Sequence, residues 1–382
     1  PPLGLLTVAA LLPRKWSLQV VDLNVTRLTD ADLRAADVVM ISAMLVHEAS
    51  VREVARRCAA LHKRVIAGGP LFTTGHESFP EIQHFVLGEA EELIPQLVAD
   101  MQSDRVQKVY QTTTRPSMAL SPVPRWDLIN LQNYVTMAVQ FSRGCPFDCE
   151  FCDIIVMNGR VPRTKTPAQL IAELEALRQR GWKEMVFIVD DNFIGDKRRT
   201  RALLNELIAW RKHTKAEMGF LTEASVNLAD DAELCALMVE AGFNKVFVGI
   251  ETPSTESIEE CHKVQNRRDL VAAVRTLQQR GLEVMGGFIV GFDSDKSDIF
   301  KQQFDFIQRS GVVTAMVGLT SRPSEISRAK TSCATWPKGS SETILPGSNH
   351  WGCGPMLMAG WVLVRSGRAS GFMAPEVTAS AR

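Results

Sequence analysis

The chain has 382 residues, of which 45% are hydrophobic, and its 43 basic residues balance its 43 acidic residues. This length allows two or three domains, and the zero formal charge gives no electrostatic basis for a nucleic acid or an anionic membrane as main partner. The sequence has no apolar run of about 18 residues, so no transmembrane segment is predicted. Eight cysteines are too few for a disulfide scaffold and favour a reducing, cytoplasmic compartment.

Short apolar runs alternate with helical stretches in residues 1–101, which predicts an α/β domain with a doubly wound, Rossmann-like parallel sheet. Its opening segment, PPLGLLTVAALLP, lacks the basic start of a signal peptide, so we expect it to be folded core. Four strands are few for this fold, and we expect a first strand to be missing upstream. The predicted strands are 17–23, 37–43, 63–69 and 84–88, and the predicted helices are 47–62 and 89–101.

Residues 102–136 are polar and contain prolines, so they are predicted to be a linker. Residues 137–320 then repeat a strand–helix pattern six times, which predicts an open (β/α)6 barrel with its chemistry at the carboxyl ends of the strands. Glycines after four of the helices favour left-handed caps. The predicted strands are 136–142, 184–190, 217–225, 245–251, 283–291 and 312–319, and the predicted helices are 167–180, 197–213, 230–241, 268–280 and 299–309.

The last segment, residues 321–382, departs from this pattern. It holds three of the seven tryptophans, has no tyrosine or aspartate, and shows no sustained periodicity. We therefore expect an irregular tail, and we interpret its composition as that of a segment translated out of frame from a point near residue 320.

Three cysteines, Cys145, Cys149 and Cys152, fall within eight residues of the stretch FSRGCPFDCEFCDIIVMNGR. A structural zinc site would need a fourth ligand, and no second cysteine or histidine pair follows at a suitable spacing. Three incidental buried cysteines are a further alternative. Three thiolates on one loop fit an iron–sulfur cluster better, with one iron left open for a small molecule.

The pattern C-x-x-x-C-x-φ-C, with Phe151 before the third cysteine, resembles the signature of radical S-adenosylmethionine enzymes. The resemblance extends over 137–320. It implies that the three cysteines bind a [4Fe–4S] cluster whose fourth iron is chelated by S-adenosylmethionine, and that electron transfer yields a 5′-deoxyadenosyl radical. It also implies an electron donor of the flavodoxin or ferredoxin type.

The same resemblance assigns strand-end residues to S-adenosylmethionine. The acidic pair in IVDDNF would suit its ammonium group, although such a pair also suits a helix N-terminus. A carboxylate and a serine in TEASVN would contact the ribose or the sulfonium end, GIET ends the fourth strand, and GGFIVGF resembles the segment that packs against adenine. The residues concerned are Phe151, Asp190, Asp191, Glu223, Ser225, Glu251, Gly287 and Gly291.

The N-terminal domain resembles the cobalamin-binding domain of the B12-dependent radical class. This implies that Ser42, Gly68 and Gly69, at the ends of two strands, approach the corrin or its nucleotide tail. The D-x-H-x-x-G motif that places a histidine on cobalt is absent, and we expect His47 to be a surface histidine at a helix start. A plain nucleotide-binding or protein-docking domain is the alternative.

Together, the two domains resemble those of hopanoid methylases and an uncharacterised subgroup of B12-binding radical enzymes. The resemblance implies a C-methyltransferase that uses a [4Fe–4S] cluster, S-adenosylmethionine and cobalamin on a small, lipid-like or natural-product substrate. Two alternatives stay open, namely a radical enzyme with non-methyl chemistry and an inactive cobalamin- or iron-binding remnant.

Overall fold

The computed structural model describes residues 1–319 and the backbone of one further strand, residues 360–366. The chain forms two compact units. The first contains Pro2–Thr113, Asp127–Ile129 and strand 360–366, and the second contains Thr114–Trp126 and residues 130–319. Within the described residues, no helix is both long and apolar enough to cross a membrane.

The regular elements are named in chain order. The strands are β1 (Trp16–Val21), β2 (Val38–Ser42), β3 (Arg64–Gly68), β4 (His84–Leu87), β5 (Val109–Gln111), β6 (Thr136–Val139), β7 (Ser142–Arg143), β8 (Arg163–Thr164), β9 (Met185–Ile188), β10 (Phe220–Glu223), β11 (Phe243–Glu251), β12 (Glu283–Val290), β13 (Thr314–Leu319) and β14 (Gly360–Ser366). The α-helices are α1 (Leu3–Leu11), α2 (Asp30–Ala35), α3 (Glu48–Ala60), α4 (Pro70–Thr73), α5 (Leu93–Gln102), α6 (Ile154–Met157), α7 (Pro167–Gln179), α8 (Lys197–Thr214), α9 (Ala232–Ala241), α10 (Thr255–Glu260), α11 (Leu270–Gln279) and α12 (Ile299–Ser310).

The sheet of the first unit has the strand order β1-β14-β2-β3-β4-β5. Strands β2 to β5 are parallel, whereas β14 pairs antiparallel with both β1 and β2. Strand β14 belongs to the segment that we expected to be irregular, and the rest of that tail, including its interpretation as out-of-frame sequence, lies outside the described residues.

Both faces of this sheet are buried, as its continuous apolar strands predict. On β2, Val39 and Ile41 belong to a core that includes side chains of α2, α3 and α4. Val38 and Met40 point to the opposite face, where α1 and α5 form a second core. Helices therefore cover both faces, which confirms the predicted doubly wound α/β domain, and the apolar opening segment is folded as α1.

The second unit contains six parallel strands that neighbour one another in the order β6-β9-β10-β11-β12-β13. Within the described residues the two end strands, β6 and β13, do not pair with each other, so the sheet is an open barrel. The short strands β7 and β8 form a separate antiparallel ribbon. This arrangement confirms the predicted (β/α)6 barrel.

Local sequence signals mark the ends of the barrel helices. Thr166 caps α7 by accepting a hydrogen bond from the Gln169 N–H, and Pro167 follows it at the first helical position. Gly242 and Gly311 adopt φ angles of 98° and 73° directly after α9 and α12. An L-residue would be strained there, so glycine ends both helices with little conformational cost.

The segment predicted as a linker is divided between the two units. Strand β5 joins the first sheet by pairing with β4. The Gln169 side-chain amide donates to the carbonyls of Met118, Ala119 and Ser121, which ties the segment from Thr114 onward to the barrel unit. These contacts are polar and involve the backbone, so they leave no apolar periodicity in the sequence.

A buried ion pair joins the middle of α7 to the residue that follows the strand ribbon. Lys165 directly follows β8, and its Nζ contacts the Glu173 carboxylate, with 3% and 1% of the two side chains exposed. Burial raises the pKa of Glu173 to about 7, although the charge and hydrogen bond of Lys165 act in the opposite direction. The carboxylate therefore depends on Lys165 as its counter-charge.

We expect Lys165→Met to lower the free energy of unfolding by about 3–5 kcal/mol, because it leaves a buried carboxyl without its partner. A carboxyl with a raised folded-state pKa favours the folded state below its ordinary pKa and loses that contribution as pH rises through about 7. Loss of the Lys165 charge and hydrogen bond raises the pKa of Glu173 further in the variant, so its destabilisation relative to the wild type should grow as pH rises above about 7. Urea denaturation at several pH values measures it, and Lys165→Met/Glu173→Leu should recover most of the loss.

Candidate functional site

The barrel unit contains a cavity of about 330 Å³ that receives side chains from the cysteine loop and from strands β9 to β13. Most of the residues predicted to bind cluster or S-adenosylmethionine line it. These are Cys145, Cys149, Phe151, Cys152, Asp191, Glu223, Ser225, Glu251 and Gly287. Folding thus brings together residues that are up to 142 positions apart in the sequence, from Cys145 to Gly287.

The loop that carries the three cysteines begins at a turn that requires glycine. Gly144 has a φ angle of 100°, and an added Cβ would lie 2.9 Å from the Gly159 carbonyl oxygen. The Cys145 N–H donates to that same carbonyl, and the Cys152 N–H donates to the carbonyl of Cys149. These backbone contacts turn all three thiols towards one cavity.

All three thiols are held in a partly desolvated environment. Burial raises the pKa of Cys145 and Cys149 above the ordinary value, and it raises the pKa of Cys152 to about 12. Proximity of the thiols to one another acts in the same direction. Buried thiols with raised pKa are poor nucleophiles, so this set suits metal binding, in which the metal displaces the protons.

The donor set fits an iron–sulfur cluster better than a single ion. Within residues 1–319, no three His, Cys, Asp or Glu side chains converge on one point where a metal ion could be held. A cluster takes each cysteine on a different iron, so its ligands need only face a common space. The three cysteines that share this cavity meet that requirement.

The two acidic side chains that follow β9, those of Asp190 and Asp191, lie in different environments. Asp190 is fully buried, and its carboxylate accepts from the Phe141 N–H and the Ser142 hydroxyl at 2.7 Å each. Asp191 lines the cavity, and its Oδ2 accepts from the Gly144 N–H at 2.8 Å and from the Asn158 amide at 2.9 Å.

Two predicted residues do not line the cavity. Asp190 lies beneath it, as described above, because its carboxylate is directed to the backbone at the end of β6. Gly291 follows β12 with a φ angle of 104°, and its N–H donates to the Asp295 carboxylate. Both residues therefore fix the backbone around the site, and neither contributes to the cavity wall.

Glu223 is the last residue of β10 and Ser225 follows two positions later, but the two side chains differ in their contacts. Ser225 exchanges hydrogen bonds with the Asn192 side chain and donates to Asn227 Oδ1 at 2.6 Å. Burial, followed by repulsion from Asp191 and Glu251, raises the pKa of Glu223 to about 8. Glu223 is therefore protonated near neutral pH until a ligand or a cation stabilises its charge.

A buried pair of opposite charges forms the end of β11. The Glu251 carboxylate contacts Lys263 Nζ, and the two side chains are 5% and 10% exposed. Gly249 makes room for them, because a Cβ there would lie 2.3 Å from Glu251 Oε1. Glu251 also has a φ angle of 64°, and its Oε2 is buried without a hydrogen-bond partner among the described residues.

Sequence reasoning did not identify three polar side chains that line the cavity, namely those of Asn192, Lys263 and Gln265. Asn192 directly follows the acidic pair, and this adjacency was the available signal. Lys263 and Gln265 come after the short helix α10 and away from any strand end, so no pattern marks them. Gln265 Nε2 lies 3.7 Å from Cys149 Sγ, and Asn192 Nδ2 lies 3.9 Å from Cys145 Sγ.

The residues predicted to approach cobalamin lie together in the first unit. Ser42 ends β2 in register with Gly68, which ends β3. Gly69 has a φ angle of 91°, and a Cβ there would lie 2.8 Å from Ser42 Oγ. His47 lies at the start of α3, where its Nδ1 accepts from the Met44 N–H. This carboxyl edge of the sheet is where open α/β sheets bind ligands.

We expect Gly144→Ala to lose most of the iron and sulfide that the anaerobically reconstituted protein binds, because the new Cβ would displace the start of the cysteine loop. Gly181→Ala is the matched control, since Gly181 has a φ angle of 85° but open space around a Cβ. The control should keep its iron and lose about 1–2 kcal/mol of stability. Equal iron contents in both variants would contradict this account of the loop.

Comparison with known families agrees with both units. Residues 139–328 match the Radical SAM superfamily, and residues 1–98 match the B12 binding domain. The predictions of a [4Fe–4S] cluster, S-adenosylmethionine and cobalamin agree with this pair of matches. The family resemblance inferred from the cysteine triplet is thereby confirmed.

Two curated relatives match most of the chain. An uncharacterised methyltransferase of Synechocystis is 44% identical over 82% of this chain, and the hopanoid C-2 methylase of Rhodopseudomonas palustris is 36% identical over 84% of it. The matches cover 59% and 62% of those two proteins, so the chain spans about three fifths of their length.

Solved structures share the fold. The radical S-adenosylmethionine methyltransferase TsrM of Kitasatospora setae, with cobalamin and a [4Fe–4S] cluster bound, matches with a TM-score of 0.60 at 18% identity, over 72% of this chain and 60% of that one. The cobalamin-dependent radical enzyme OxsB matches with a TM-score of 0.59 at 16% identity, over 74% and 45%. The chain belongs to the radical S-adenosylmethionine superfamily, in the group whose members also carry a B12-binding domain.

Proposed function

We propose that this chain cleaves S-adenosylmethionine reductively at a [4Fe–4S] cluster and transfers a methyl group, carried by cobalamin, to an unactivated carbon. The observation that carries the proposal is the shared cavity, in which three cysteines of one loop face polar side chains at the ends of three strands. The methylase relatives favour methyl transfer over other radical chemistry.

Cys145, Cys149 and Cys152 would hold the cluster. When bound, the cluster would supply the electron that cleaves S-adenosylmethionine, and cobalamin would carry the methyl group. Glu223 and Ser225, which line the cavity, would form hydrogen bonds with ribose hydroxyls or stabilise the sulfonium charge. The Glu251 oxygen that has no hydrogen-bond partner in the described part of the chain would be a further acceptor for a cationic or hydroxyl group.

The remaining wall of the cavity is apolar, and this property bears on the reaction. Phe187, Leu221, Phe247, Met285 and Phe288 line it from strands β9 to β12. Such side chains exclude water from the cavity, which limits side reactions of a reactive intermediate formed there. Gly287 lacks the Cβ that would lie 2.7 Å from the Phe247 ring, and this absence leaves the ring its place in the wall.

An apolar wall also suits the substrate class. We propose a lipid-like or natural-product molecule as methyl acceptor, as the similarity to a hopanoid methylase suggests. In the first unit, Ser42, Gly68 and Gly69 would leave a flat surface for the corrin or its nucleotide tail. The electron would come from a flavodoxin- or ferredoxin-type donor.

Anaerobic assay of the reconstituted protein tests this proposal. With dithionite, cobalamin and S-adenosylmethionine present, we expect 5′-deoxyadenosine to form and labelled methyl groups to appear in an apolar acceptor. Cys149→Ala should reduce 5′-deoxyadenosine to the level of a sample without protein. Cys235→Ala should retain it, because Cys235 is buried outside the cavity, where its thiol donates to the Leu228 carbonyl.

Formation of 5′-deoxyadenosine without methylated product would redirect the assignment to non-methyl radical chemistry. Absence of both products from protein that carries the cluster would exclude the proposed activity.

The raised pKa of Glu223 predicts a pH dependence of S-adenosylmethionine binding. As pH rises through about 8, this carboxyl loses its proton and gains attraction for a sulfonium ion. We expect the affinity of cluster-loaded protein to increase by about tenfold across this range. In Glu223→Gln the increase should shrink to the part that comes from titration of the ligand amine, and equilibrium dialysis at several pH values distinguishes the two cases. An identical pH profile for both proteins would argue against a role for Glu223.

A further inference from the structure

Gln265 occupies a position next to one of the three cysteines. Its side-chain Nε2 lies 3.7 Å from Cys149 Sγ, within the range of an N–H···S hydrogen bond. Its Oε1 is buried and has no hydrogen-bond partner among the described residues. A cysteine sulfur on iron has no proton and can only accept, so the amide must present its N–H₂ group to that sulfur.

The neighbours of Gln265 fix its place. Lys263 is paired with Glu251, and the Asn266 side chain donates to the carbonyls of Gly249 and Ile250 at 3.0 and 2.8 Å. Residues on both sides of Gln265 are thus attached to the end of β11. Val264, between Lys263 and Gln265, is 55% exposed and does not line the cavity.

The cysteine loop is attached to the same part of the chain. The Glu150 N–H donates to the Cys261 carbonyl at 3.1 Å. Cys261 follows α10 and comes four residues before Gln265 in the sequence. The distance between the Gln265 amide and Cys149 is therefore set by backbone contacts and by a buried ion pair.

We propose that Gln265 is a positioning residue that raises the reduction potential of the cluster by donating an N–H···S hydrogen bond to Cys149. This inference rests on the proposed function, since it assumes that Cys149 binds iron. When the cluster accepts one electron from a reductant, its cysteine sulfurs become more negative. A donor to such a sulfur stabilises the reduced form more than the oxidised form, and hydrogen bonds to sulfur are among the factors that set cluster potentials.

The Asn192 amide lies 3.9 Å from Cys145 Sγ and would act in the same direction, more weakly because it is further away and is shared with Ser225. We therefore assign the larger effect to Gln265. Its removal should make the cluster harder to reduce.

The test is a redox titration of the reconstituted protein with dithionite, followed by electron paramagnetic resonance and without substrate. We expect Gln265→Leu to shift the equilibrium towards the oxidised cluster by about threefold to tenfold, the latter being about 59 mV for a one-electron couple. Gln265→Glu should shift it further in the same direction, because it places a negative charge beside the sulfur.

Two controls separate this effect from a general disturbance. Val264→Ala alters the same segment without touching the amide, and Gln308→Leu makes the same chemical change at an exposed position of α12. Both should keep the wild-type potential. Equal potentials in the Gln265 variants and these controls, or an upward shift, would overturn the proposal.

Iron content distinguishes the remaining outcomes. If both Gln265 variants fail to bind iron while the controls bind it, Gln265 is needed for cluster retention and the proposal is wrong. If the wild-type chain itself takes up no cluster, the proposed function is wrong, and the inference about Gln265 is wrong with it. A loaded wild-type protein whose potential does not respond to Gln265 removes this inference alone.

Discussion

The site depends on two adjacent carboxylates at the end of β9, which hold the chain that leads into the cysteine loop. Asp190 binds this chain from below, at the Phe141 N–H and the Ser142 hydroxyl, and Asp191 binds it from the cavity side, at the Gly144 N–H. These contacts join the segment that follows β9 to the segment that follows β6, its parallel neighbour in the sheet. The direction of all three thiols follows from them, because the loop can begin only where Gly144 is held.

The arrangement of carboxylates in and around the cavity concentrates negative charge in a small volume. Asp191, Glu223 and Glu251 line the cavity, Asp190 lies beneath it, and Lys263 is the cavity-lining cation among the described residues. Burial with mutual repulsion raises the pKa of Glu223 to about 8, and burial raises that of Asp190 to about 7. A cationic group would relieve this repulsion, so the electrostatics of the cavity favour a cationic ligand over an anionic one.

Much of the fold could be predicted from the sequence. The periodicity of apolar residues marks the strands and helices, and proline and glycine mark the helix ends. The five predicted barrel helices lie within two residues of their predicted bounds, whereas the short helices α6 and α10 were not predicted. The cysteine triplet indicated both the family and the cavity. The sequence could not tell which of Asp190 and Asp191 faces the cavity, since β9 ends at Ile188 and its alternation stops there. Lys263 and Gln265 escaped prediction because only folding brings the segment after α10 beside β11 and the cysteines.

The least favourable local features of the barrel unit meet at Glu251. Its φ angle of 64° is strained for a residue with a Cβ, one of its carboxylate oxygens is buried without a partner in the described part of the chain, and its pairing with Lys263 excludes any side chain at position 249. Such costs persist where function requires them, and stabilising contacts elsewhere offset them. A ligand that supplies the missing donor would lower the free energy of the folded state alone, so occupancy of the cavity should be coupled to the stability of the whole barrel unit.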